Sequence, residues 1–133
     1  MGDPGGDWWL ARARYAVDLA VVDGDDLPGP LVELATLVLV TMLKAGLPPY
    51  SIEAAAEGDE TGVSLAPVPG RRALRVLWRQ DPAAEAQMPA DRWGAQQAAM
   101  NQALRAILAA QAFWIEDGPL GESPVVLGIT RLR

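Results

Sequence analysis

Residues 89–116 carry the longest uninterrupted helical pattern in the chain, PADRWGAQQAAMNQALRAILAAQAFWIE. On a wheel of about 100° per residue, Met100, Leu104, Ile107 and Leu108 fall within about 60° of Trp93 and make one stripe of large side chains. Ala95, Ala99, Ala103, Ala106 and Ala110 form a second stripe roughly 120° away, and Asp91, Asn101, Gln102 and Arg105 take the remaining arc. This pattern predicts a helix with two buried sides, the large residues over a sheet and the alanine row against a neighbouring helix.

Upstream, the odd positions from Trp9 to Val21 alternate with Arg12, Arg14, Ala16 and Asp18, which predicts a strand. A helix from about Asp7 is the competing reading, because Leu10, Arg14, Val17 and Val21 share a helical face and Ala, Leu and Arg favour helix. Residues 30–45 predict a helix opened by Pro30, stopped by Gly46 and apolar on nearly every side, with Glu33 and Lys44 placed as the helix dipole prefers. Tyr50, Ile52, Ala54 and Ala56 alternate weakly as a further extended piece. Val63 to Pro67 and Arg72 to Arg79 then predict a hairpin, with Leu74, Val76 and Trp78 on one side and Arg75, Leu77 and Arg79 on the other. Residues 80–89 are expected as a loop, and residues 113–116 and 125–132 as a second hairpin. The resulting order, β-α-β-β-β-α-β-β, predicts an α+β fold with two helices packed on one face of a mainly antiparallel sheet, a decorated ferredoxin-like arrangement (βαβ-ββαβ-β) being its simplest version. Residues 1–7 are expected as a disordered tail and residues 8–133 as a single α+β domain.

Composition narrows the chemistry. The chain has no histidine and no cysteine, so it lacks imidazole bases, Ser-His-Asp triads, thiolate or histidine metal sites, and disulfides. Seventeen acids against eleven bases give a net charge of -6, which disfavours a nucleic-acid backbone as partner. Lys44 is the one lysine among those bases; the Arg, Ala, Gly and Pro usage is that of a GC-rich bacterial genome. Residues 1–7 have neither the basic nor the apolar region of a secretory signal, and the apolar run 31–43 is far short of the roughly 20 residues a membrane span needs. A cytoplasmic protein without membrane contact is expected.

Several groupings carry candidate chemistry. Asp23, Asp25 and Asp26, with Asp18 upstream, suit a hard cation, but they lack the later ligands of an EF-hand loop and read better as a solvated turn. Arg71, Arg75 and Arg79 share one side of a predicted strand and make a cationic patch for a small anionic ligand or an acidic protein, or else the wet face of a sheet. Thr41 and Lys44 pair a hydroxyl with an amine, yet the amine sits where it complements helix carbonyls. Trp8 and Trp9 cannot both point inward from a strand, so one is expected to be exposed and available to a partner. No Walker loop, dinucleotide fingerprint, nucleophile elbow or zinc spacing occurs, so no cofactor and no metal is expected. These observations lean away from catalysis and toward a protein–protein interaction or assembly module, expected as a homodimer. A small-molecule-binding regulatory domain with an arginine-lined pocket or dimer groove is the alternative, and a carboxylate-dependent enzyme ranks last.

Overall fold

In the structure, a computed structural model that describes residues 4–21, 27–58 and 60–129, five helices and four strands follow in the order α1 (Pro4–Ala20), α2 (Gly29–Lys44), α3 (Ile52–Ala56), β1 (Gly62–Pro67), β2 (Leu74–Arg79), α4 (Pro82–Ala86), α5 (Ala90–Ala110), β3 (Phe113–Ile115) and β4 (Val125–Ile129). The strands form one antiparallel sheet in the order β1-β2-β4-β3. The fold is α+β, as the periodicities predict. It does not take the ferredoxin-like order, because the first two expected strands are helical.

The first correction concerns residues 9–21, where the strand expectation gives way to its helical competitor. Ala13, Ala16, Val17 and Ala20 are buried and fall on one side of α1, so their small side chains let it lie close along α2. α1 also starts at Pro4, inside the stretch expected as a tail. Residues 50–56 are likewise not a strand: Ser51 accepts a hydrogen bond from the Ala54 amide at 3.2 Å and caps the short α3. In the expected loop 80–89, Asp81 accepts from the Ala83 amide at 2.9 Å and Pro82 opens α4.

α2 lies at the centre of the helical layer. Pro30 stands in its first turn, and at its end Gly46 adopts φ +89° while the Leu47 amide donates to the Met42 carbonyl, a left-handed stop of the expected kind. Leu31, Ala35, Val38, Leu39 and Met42 are buried, and α2 touches α1, α5, β1 and β2. Most of its apolar surface is therefore covered within one chain, while Val32 remains 43% exposed. Val63, Leu65, Leu74, Val76, Phe113 and Val126 supply the sheet side of this core, with Leu104 and Leu108 from α5.

The alanine stripe of α5 does not meet a helix. Ala95, Ala99, Ala106 and Ala110 are exposed, and α5 packs on β2, β3 and α2 through its other side. The reverse side of the sheet carries Ser64, Ala66, Arg75, Leu77, Arg79 and Trp114, opposite in alternation to the core residues. The outer edge of β1 is closed by backbone: the Val63 amide donates to the Pro48 carbonyl at 2.9 Å, the Tyr50 amide to the Val63 carbonyl at 2.8 Å, and Val21 bridges Leu65. This strap requires glycine at position 62, where φ is +148° and a Cβ would stand 2.5 Å from the Tyr50 nitrogen. Among the described residues no helix is long and apolar enough to cross a membrane.

α5 stops at Ala112, whose φ of +67° is the left-handed conformation that glycine adopts without steric cost. Ala112→Gly is expected to raise the unfolding free energy by about 1 kcal/mol, less the loss from a more flexible unfolded chain, measured by urea denaturation against the parent protein.

Candidate functional site

The helical register of α1 decides which side chains reach water at its outer face. Positions 8, 12, 15 and 19 recur at helical spacing on the side away from the buried alanines. Trp8 is 53% and Tyr15 73% exposed, Arg12 is exposed between them, and Leu19 is half-buried. Trp9 turns toward the core and packs at its margin. The two tryptophan rings meet edge to face with centroids 4.6 Å apart and planes at 79°, and the Arg12 guanidinium lies 5.6 Å from the Trp8 ring centroid.

Two hollows run along this face. The first, of about 440 Å³, is lined by Trp8, Trp9, Arg12, Leu43, Leu47 and Pro48. The second, of about 280 Å³, is lined by Arg12, Tyr15, Leu19, Pro49, Tyr50 and Glu53. Arg12 belongs to both, so they form one furrow between α1 and the segment after α2, with the guanidinium at its waist. Nearby, Ile52 is 49% exposed. Arg12 has no carboxylate partner among the described residues.

The arginine row of β2 runs along the strand, and each member has an intramolecular partner. Arg71, in the turn before the strand, pairs with Glu116. Arg75 donates to the Ser123 hydroxyl at 3.1 Å, and the Arg79 guanidinium sits 4.8 Å from the Tyr50 ring centroid. Arg71 and Arg72 also border a cavity of about 480 Å³ whose floor is Pro28, Pro30, Leu31, Pro67 and Pro69. Trp8 and Trp9 are therefore brought together in one site, whereas the arginine row is spread along its strand, Arg71 and Arg75 beside the β3–β4 segment and Arg79 over Tyr50 of the furrow wall.

Other sequence candidates do not converge. The Thr41 hydroxyl donates to the Leu37 carbonyl at 3.0 Å, and Lys44 is exposed at the end of α2. Asp23, Asp25 and Asp26 lie outside the described residues. Asp18 lines a groove of about 770 Å³ between α1 and α2, together with Arg14, Glu33 and Thr36, and both of its carboxylates are exposed to water. Sequence reasoning placed Asn101 on a wet arc, yet it is buried and donates from Nδ2 to the Gly121 carbonyl at 2.9 Å. It also missed Tyr15 as a partner for Trp8; the signal was the i, i+4, i+7 spacing of Trp8, Arg12 and Tyr15. No family model, no curated protein and no solved structure matches the chain.

The hydrogen bond from Arg71 holds the Glu116 carboxyl below its ordinary value; desolvation opposes it, and the charges of Arg71 and Arg75 add to the lowering. A depressed carboxyl contributes stability above its unfolded value of about 4.3 and loses it as the pH falls through the folded value. A carboxyl-detected NMR titration is expected to place Glu116 below the range of the exposed glutamates, and Arg71→Gln is expected to move its midpoint upward.

Proposed function

We propose that the protein is a non-catalytic protein–protein interaction module and that the outer face of α1 is its contact surface. One observation carries this reading: Trp8, Arg12 and Tyr15 stand exposed in a row on one helix, over a furrow walled by Leu47, Pro48, Pro49 and Tyr50. Tryptophan, arginine and tyrosine are the residues that most often dominate binding energy at interfaces. Each offers large contact area, and the two rings lose little conformational freedom on docking. The apolar excess of α2 is largely covered by its own chain, with Val32 left 43% exposed, so the exposed aromatic side chains of α1 are the stronger ground for a partner.

Association is expected to be lost when this face is made polar. Trp8→Ser combined with Tyr15→Ser should weaken self-association or partner capture by about 30-fold or more, the effect of removing one strong anchor, read by sedimentation velocity and by pull-down at matched concentration. Unchanged association with a preserved circular dichroism spectrum would eliminate this face.

A second reading follows from the proline-floored cavity bordered by Arg71 and Arg72. An apolar floor with guanidinium donors at the rim suits a small carboxylate with a flat hydrophobic body. Such a ligand is expected to raise the melting temperature of the parent protein and not that of Arg72→Ala. A screen of aromatic and aliphatic carboxylates giving no shift in either protein would remove this reading.

A further inference from the structure

The half of the furrow between Trp8 and Pro48 has one charged residue in its lining, Arg12, and is otherwise apolar. Glu53 lines only the other half. An occupant matched to the Trp8 half presents one aliphatic side chain with a carboxylate beside it.

The chain itself displays that combination at its opposite edge. Between β3 and β4, residues 116–124 read EDGPLGESP. Leu120 is 63% exposed at the crest, with Asp117 and Glu122 exposed on either side and without an ion pair among the described residues. The loop is clamped from beneath: Arg105 donates to the carbonyls of Glu116 at 3.2 Å and Pro119 at 3.4 Å, Asn101 donates to that of Gly121, and Arg71 and Arg75 hold Glu116 and Ser123. Gly121 rides so close to α5 that a Cβ there would stand 3.2 Å from the Ala98 Cβ. A greasy side chain is thus held outward on a braced support, so little ordering is needed when it docks.

The strand order separates the two surfaces. The furrow wall at Pro48 to Tyr50 runs along the outer edge of β1, and the loop leaves β3 at the other end of the sheet. We infer that the partner of the furrow is a second copy of this chain, whose Leu120 enters the hollow beside Trp8 while Asp117 or Glu122 meets Arg12. The inference rests on the proposed role of the α1 face and adds its occupant. Because a surface at one edge meets a different surface at the other, the contact is heterologous: it propagates head to tail and closes into a ring or extends into a chain.

The test uses two variants of the full chain and their mixture, each with its circular dichroism spectrum recorded. The furrow variant is Trp8→Ser with Arg12→Glu, and Arg12→Glu alone serves if the double change unfolds; the loop variant is Leu120→Ser with Glu122→Lys. By sedimentation velocity over a concentration series, the parent protein is expected to grow beyond a dimer or to close at a fixed larger size. Each variant alone is expected to remain monomeric. Their equimolar mixture is expected to form a dimer and nothing larger, since one intact loop finds one intact furrow. A parent protein monomeric throughout the series, or a mixture that stays monomeric, overturns the inference. If the loop variant assembles like the parent while the furrow variant does not, the α1 face survives as a contact surface and the Leu120 loop is discarded. If the furrow variant assembles like the parent, both fall together.

Discussion

The seating of α1 against α2 is the contact on which the other features of the molecule depend. Ala13, Ala16, Val17 and Ala20 are buried there, and because they are small the two helices lie close, with no long side chain between them. That single contact fixes the rotation of α1 about its axis. Trp9 is turned toward the core, and Trp8, Arg12 and Tyr15 are turned out. Rotating α1 by a third of a turn would bury the guanidinium without a partner and expose the alanines, and both changes are unfavourable.

The sheet is arranged around the same layer. Val63, Leu65, Leu74, Val76 and Val126 face the helices, while the reverse side carries Arg75, Arg79 and the exposed Trp114. The arginines of that side are engaged rather than idle: one pairs with Glu116, one with Ser123, and one lies over the Tyr50 ring. Their work is to fasten the segment that joins β3 to β4 and the segment that follows α2, two pieces of irregular backbone. A cationic row read as a ligand site is in this molecule also a set of fasteners.

Much of this was legible in the residues, and the gaps have definite causes. The first hairpin was readable because the apolar residues of β2 alternate with residues that cannot be buried cheaply, Arg75 and Arg79, and the second because two short apolar runs flank a turn rich in Gly and Pro. α2 was readable from Pro30 and Gly46. α1 was ambiguous because alanine and valine fit a period of 2 as well as 3.6: Ala13 and Val17 lie both on the odd positions of the alternation and on the buried helical face. The cost fell on the site. On a strand Tyr15 and Arg12 would face opposite ways, whereas on a helix they share a side with Trp8, so the face was hidden by the choice of period. Asn101 was out of reach for a different reason: its burial depends on a loop 20 residues away in sequence, and no local pattern carries that information.

The strap along β1 has one more effect. Pro48 and Tyr50 occupy the backbone groups of that border, and the opposite border, β3, is three residues long with an irregular register against β4. Neither margin offers a long ladder of unpaired amides and carbonyls to a neighbour. Copies of the chain crowded together at high concentration therefore have little incentive to zip into fibrous aggregates, and their encounters are left to side chains, which can be reversed.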